Sequence, residues 1–172
     1  MVEMIMRAAA RILVRDGYEA LTTNRVALEA GASVGSLYQY FSSKQQLVSA
    51  LLEDHIDRTM RQVREAMPHL SLMPVEDAVP RFVELMIASH RVDPALHRVF
   101  VEQLPRIGDF VKVEASLNEG LVLAEAYLRA HAADIKPQNH GLSAFLVVHS
   151  VESLTHAAVL NKPELLDTPE FV

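Results

Sequence analysis

Two short helix-forming runs joined by a glycine, with a long amphipathic run behind them, set the architecture this chain can adopt. Ile5, Ala8, Ala9, Ile12 and Leu13 fall at the i, i+3, i+4, i+7, i+8 spacing of one helical face. Asp16-Gly17 ends that run, because glycine takes the left-handed turn that closes a helix at little cost. Thr22 and Thr23 are N-caps for a short helix over 24–30, which Gly31 ends. Ser33 caps a second short helix over 34–40. Ser42 and Ser43 each have a glutamine three residues on, Gln45 and Gln46, as in a capping box. They open a long helix whose apolar stripe runs through Leu47, Leu51, Ile56, Met60, Val63 and Met67.

Helical patterning continues to the end of the chain. Pro68 and Pro74 are expected to bracket a loop. A helix follows with Val79, Phe82, Val83, Met86 and Ile87 on one side and Pro80 near its start. Asp93-Pro94 opens another through Phe100 and Val101, which Pro105 and Gly108 interrupt. Helices over about 110–133 and 138–160 complete the series, separated by a break at Lys136-Pro137. No alternating strand pattern competes, so the expected fold is all-α.

Composition narrows the class. The 172 residues contain no cysteine, which excludes disulfide scaffolds, thiol nucleophiles and cysteine-bound zinc. No run approaches the roughly 18 uninterrupted apolar residues of a membrane span, and no export signal is legible, so a cytoplasmic protein with no membrane partner is expected. The net charge of −6 is unevenly spread. Residues 1–45 hold five bases (Arg7, Arg11, Arg15, Arg25, Lys44) against four acids (Glu3, Asp16, Glu19, Glu29), a net of +1. The remaining 11 bases and 18 acids give −7. The first part is therefore free to approach phosphates.

Two short helices about a glycine have the form of a helix-turn-helix, whose second helix enters the major groove. Within 34–41, Leu37 and Phe41 are four apart and face the core. Gly35 and Ser36 are small enough to let the backbone approach the groove floor. Tyr38, Gln39 and Tyr40 offer hydrogen-bond donors, and the tyrosine rings offer apolar contact to thymine methyls. Thr23 at a helix N-terminus can hold a phosphate, and Lys44 adds a charge for the same backbone.

Leu21-Thr22-Thr23, Arg25-Val26-Ala27, Ala30-Gly31, Ser33, Gly35-Ser36-Leu37-Tyr38, Tyr40-Phe41 and Ser43-Lys44 resemble the signature of the tetracycline-repressor (TetR) family. The resemblance covers about a quarter of the chain. It implies a homodimer of all-helical subunits, each with a small DNA-binding domain and a larger antiparallel helical domain for ligand binding and dimerisation; we place these at 1–45 and 46–172. By position, Thr23, Asn24, Val34, Gly35, Ser36, Tyr38, Tyr40 and Lys44 match the family's DNA-contacting residues. Ala32 stands where valine is commoner, and the chain starts at its first helix without the basic arm of many members. The expected function is a ligand-released repressor on a palindromic operator in duplex DNA, with no cofactor and no catalytic residue.

A rival motif overlaps. Gly31-Ala32-Ser33-Val34-Gly35 fits the G-x-S-x-G of a hydrolase nucleophile elbow, which needs a strand before the serine. The preceding residues read as helix, so Ser33 is taken as a cap. In the last long helix His149, Glu152, Ser153 and His156 form a polar stripe near Leu142, Phe145 and Leu146. Ala144, Val147, Val151, Leu154 and Ala158 occupy the opposite side. One face is expected to meet a partner and the other to look inward; the sequence does not say which. His149, Glu152 and His156 lack a familiar metal-ligand spacing, so no metal is expected. His149, Glu152 and Ser153, with Phe82, Met86 and Phe100, are the candidate lining of a cavity for a small-molecule effector, amphipathic or aromatic. Otherwise the stripe is a set of hydrogen-bonded residues at a helix interface. Thr168-Pro169-Glu170 reads as the start of a further helix, and the resemblance implies that it pairs with the helix over 138–160 across the dimer.

Overall fold

A computed structural model describes residues 1–107, 111–136, 139–168 and 171. Eight α-helices are described: α1 Val2–Asp16, α2 Thr23–Glu29, α3 Val34–Tyr38, α4 Lys44–Leu70, α5 Val75–Arg91, α6 Pro94–Ile107, α7 Val111–Ala130 and α8 His140–Asn161. A 3-10 helix, Pro163–Asp167, follows α8. Helices, turns and short irregular links account for the described residues, with no strand among them. The expected breaks at Gly108 and Pro137, the starts at Phe110 and Gln138, and the Pro169-Glu170 turn lie outside the described residues.

The chain forms two compact units. The first is Met1–His55 with the segment from Ala95 through α6; the second is Ile56–Pro94 with the chain from Val111 onward. Neither matches a simple cut at 45/46, because α4 and α6 each contribute to the first unit.

In the first unit, Ile5, Ala8, Ala9, Ile12 and Leu13 are buried, so the helical periodicity of α1 describes its inner face. Val26 and Ala27 of α2, Leu37 of α3 and Leu47 and Val48 of α4 complete the centre. Each fully buried valine, leucine or isoleucine among them contributes about 1.5–3 kcal/mol. Gly17 and Gly31, at φ 79° and 65°, supply the two left-handed turns that a Cβ would strain. From α6, Phe100 and His97 join this unit. Nε2 of His55 lies 2.9 Å from Nδ1 of His97, and the His55 and Phe100 rings lie 5.4 Å apart.

In the second unit, Ile87 of α5 meets Ala158 and Val159 of α8 and Leu166 of the 3-10 helix, with Val83, Leu165 and Phe171 around them. α4 and α7 are tied by Arg64, which donates from Nε and Nη2 to both carboxylate oxygens of Glu119 at 2.5 and 2.7 Å. Lys112 pairs with Asp57 at 2.7 Å. Tyr127 donates its hydroxyl to the Met73 carbonyl in the α4–α5 turn. Gly120 of α7 faces α8, where a Cβ would meet Val148 at an ordinary contact distance of 3.9 Å.

Three prolines do not act as the sequence indicates. Pro68 lies inside α4, which runs on to Leu70. A mid-helix proline costs about 3 kcal/mol, but Pro68 falls in the last turns and continuation buries Leu70. Pro80 is at the sixth residue of α5 rather than near its start, facing solvent. Pro105 falls within α6 and does not end it.

α8 is long and apolar enough, by length and mean hydropathy, to cross a membrane. Here it packs on α5, α7 and the 3-10 helix. Its inward line is Ala144, Val148, Thr155, Ala158 and Val159. Leu142, Phe145, Leu146, Val147 and Leu154 are exposed. The apolar side is thus divided: Ala144 and Ala158 turn inward and Leu154 outward, with Val147 at the boundary.

Candidate nucleic-acid interface

The helix-turn-helix is built by short-range hydrogen bonds. Thr22 Oγ1 accepts from the Arg25 N–H and caps α2. Ser33 Oγ accepts from the Ser36 N–H at 3.0 Å and caps α3, and its hydroxyl also meets that of Ser36 at 2.8 Å. Ser33 of the G-x-S-x-G sequence is thus a cap between two helices. At α4, Ser43 Oγ accepts from the Gln46 N–H, and Gln46 Oε1 accepts from the Ser42 N–H. Half of the capping box therefore closes on Ser42 instead of Ser43.

α3 stops at Tyr38, two residues earlier than expected. Tyr40 N–H donates to Leu37 O at 3.0 Å and Phe41 N–H to the same carbonyl at 2.9 Å. That tightened turn lets Phe41 bury and leaves Tyr40 outside. Leu37 and Phe41 are buried, as their spacing requires, while Tyr38 and Tyr40 are 51% and 45% exposed. Val34, Gly35 and Gln39 are exposed beside them, with Ser36 partly covered.

Thr23 and Tyr38 come together: Thr23 Oγ1 lies 3.1 Å from the Tyr38 hydroxyl. Asn24 is exposed next to Thr23. Lys44 is half-buried; its Nζ donates to the Tyr18 carbonyl at 3.1 Å and rests 4.1 Å from the Tyr18 ring centre. Glu19 stands 4.0 Å from the same ammonium.

The arginines behave differently from their count. Glu29 pairs with Arg11 at 3.0 Å and Arg15 at 3.1 Å, while Asp16 pairs with Arg15 at 2.9 Å and Arg25 at 2.5 Å. Arg7 pairs with Glu3. Arg15 holds the Asp16 carboxyl below the usual range, and Arg11 does the same for Glu29. These bases are engaged with the protein's own acids on the exposed side of α1 and α2. The α3 surface itself carries no ionised side chain.

The second unit holds a cavity of about 90 Å³. Val63, Met67 and Leu70 of α4 form one side. α5 supplies Ala78, Val79, Phe82 and Val83; α7 supplies Gly120, Leu123, Ala124, Tyr127 and Leu128. Val147 comes from α8. Of the candidate effector residues, Phe82 is on this wall. Met86 is farther along α5, where its carbonyl meets Ser89 Oγ and His90 Nδ1. His149 packs its ring 4.3 Å from that of Phe145, Glu152 stands 3.9 Å from His156, and Ser153 is exposed. Phe100 is in the core of the first unit. The stripe is therefore not assembled with Phe82 about the cavity. In the sequence the lining of this cavity is marked by the small pair Gly120 and Ala124, four apart on α7.

Two family models match the chain. Residues 5–51 match that of bacterial regulatory proteins, tetR family, and residues 74–172 match the tetracyclin repressor-like C-terminal domain. The HTH-type transcriptional activator FasR of Mycolicibacterium smegmatis is 40% identical over 63 residues, 37% of this chain and 29% of that protein. The chain thus aligns with less than a third of that relative. Among solved structures, the fatty acid degradation regulator FadR of Bacillus halodurans superposes with a TM-score of 0.74 at 18% identity, covering 96% of this chain and 90% of that one. FadR of Bacillus subtilis, solved in complex with stearoyl-CoA, gives 0.73 at 17% identity, covering 95% and 90%. At these identities the likeness is one of fold. With both halves matched and the helix-turn-helix geometry in place, the chain belongs to the tetR family of bacterial regulatory proteins.

Proposed function

We propose that this protein is a sequence-specific, DNA-binding transcriptional repressor that acts as a homodimer on a palindromic operator and is released by a small-molecule effector. The observation that carries the reading is the α3 surface, where Val34, Gly35, Tyr38, Gln39 and Tyr40 are exposed side by side over a buried Leu37 and Phe41. In this reading those residues and Ser36 read base edges, while Thr23, Asn24 and Lys44 hold backbone phosphates. With the arginines paired internally, the charge each copy brings to DNA is small. Tight binding then depends on two copies on half-sites about 34–36 Å apart or a multiple of it.

The apolar residues that α8 leaves exposed, Leu142, Phe145, Leu146 and Leu154, support self-association. Such a patch is covered in a dimer. The cavity between α4, α5, α7 and α8 supports an effector site, as do neighbours solved with bound small molecules, stearoyl-CoA in one and triclosan in another. α4 carries Lys44 at one end and Val63, Met67 and Leu70 at the other. An effector that binds one state better shifts the population toward it. Within this division of labour, residues 1–45 serve DNA and 46–172 serve ligand and dimer, in the cytoplasm.

The test is selection of bound duplexes from a random library by the purified chain. Enrichment of a palindrome, lost on Tyr38→Ala with Lys44→Ala, is expected; retained binding in the double variant would sink the assignment. A promoter fusion carrying the selected site decides the sign of regulation, which matters because FasR is an activator.

A further inference from the structure

We infer that the cavity of the second unit takes an uncharged hydrocarbon body, aromatic or aliphatic, and excludes ionised groups. This rests on the effector reading and names the chemical class for that site. The wall carries no acidic, basic or histidine side chain. Its one hydroxyl, Tyr127, is already committed, donating to the Met73 carbonyl at 3.1 Å. Burial, with Asp134 nearby, pushes that phenol above its ordinary pKa, so it stays neutral.

Charged residues adjoin the wall in sequence without lining it: Arg64, Asp77, Arg81, Glu84, Glu119, Glu125 and Arg129. Six of them pair among themselves, Arg64 with Glu119, Arg81 with Glu84 and Arg129 with Glu125. None of these charges is on the wall to receive a ligand carboxylate or ammonium. Burying an ion there without a counterion costs several kcal/mol. The space comes from small residues, with Gly120 and Ala124 one turn apart on α7. Its 90 Å³ admits a small hydrocarbon, and the exposed Val79 and Val147 mark its solvent side. Met67 on the wall has the unbranched side chain that adapts to different shapes.

The test titrates benzene, toluene and benzoate into the full chain, followed by calorimetry and by methyl NMR of Val63, Leu128 and Val147. Toluene and benzoate share a ring with one substituent and differ in charge. Toluene is expected to bind up to about fourfold more tightly than benzene, as one added carbon allows, and at least tenfold more tightly than benzoate. Ala124→Leu, which fills the space, and Val79→Phe, which closes it from the exposed side, should each weaken toluene at least tenfold. Benzoate matching toluene, no saturable hydrocarbon binding, or wild-type binding in a folded variant would overturn the inference. If Ala124→Leu does not fold, Val79→Phe and the toluene–benzoate comparison decide. Toluene binding without DNA release leaves this inference standing and refutes the effector reading. A compound that releases DNA but is insensitive to both substitutions does the reverse.

Discussion

Oγ1 of Thr23, at the first turn of α2, lies 3.1 Å from the hydroxyl of Tyr38, the last residue of α3. The bond joins the start of one short helix to the end of the other, so the side chain proposed to hold phosphate also positions one proposed to read bases. Tyr38→Phe and Thr23→Val should each destabilise the fold by about 0.5–1.5 kcal/mol. A double-mutant cycle by urea unfolding should return a coupling of at least 0.5 kcal/mol. Additive losses would show that the hydroxyls do not support each other.

Gly35 separates fold from function. A Cβ built there meets only Ser33 Oγ, at 3.9 Å, and the backbone needs no left-handed angle. Gly35→Ala should therefore leave the protein as stable or more stable, by up to about 1 kcal/mol. DNA affinity should nevertheless fall at least tenfold if α3 lies against the groove floor. Thermal unfolding and anisotropy titrations on the selected duplex check the two halves.

Lys44 tests the phosphate contact. Lys44→Ala should weaken binding nearly equally on all sequences and lower the slope of log affinity against log salt by about one. Ser36→Ala and Tyr40→Ala should instead relax sequence preference at constant slope. Titrations at 50 and 200 mM salt distinguish the classes.

For the α8 surface, Leu146→Glu with Leu154→Glu places two charges among exposed apolar residues, leaving the inward line intact. Light scattering should show a monomer at micromolar concentration, with helix content by circular dichroism unchanged. A dimer that persists would place self-association elsewhere.

A buried histidine and a half-buried glutamate give the second unit opposing pH responses. Burial lowers the His90 pKa, so folding disfavours its protonation. Its penalty is absent above the unfolded value of about 6.5 and grows as pH falls toward the folded pKa. Burial raises the Glu152 pKa, with His149 partly opposing it. That penalty is absent below the unfolded value of about 4.3 and grows as pH rises through the folded pKa. His90→Asn should flatten the loss of stability below pH 6.5, and Glu152→Gln should raise stability at pH 7. Denaturant midpoints across pH 4.5–7.5 check both signs.

How much was legible depends on range. The DNA end was read from residues within four positions of one another: Thr22 capping α2, Ser33 capping α3, Leu37 and Phe41 turned to the core. The candidate effector set was not, because Phe82, Phe100 and Glu152 are far apart in sequence and each can pack acceptably in several places. Nor did counting charges indicate that Arg11, Arg15 and Arg25 turn to Glu29 and Asp16.

The sequence alone determined an all-helical chain with a helix-turn-helix near its start. Caps, left-handed glycines and 3.6-residue periodicity act within one turn of helix. The positive φ at Gly17 and Gly31 and the inner face of α1 follow from such local rules. Tertiary structure decided which prolines end helices, which line of α8 turns inward and where space is left between α4, α5, α7 and α8. Burial of Leu70 outweighs the cost of Pro68, and the cavity exists only where four faces meet around Gly120 and Ala124. Those outcomes depend on the partner each helix face finds, and the partners come from segments tens of residues away.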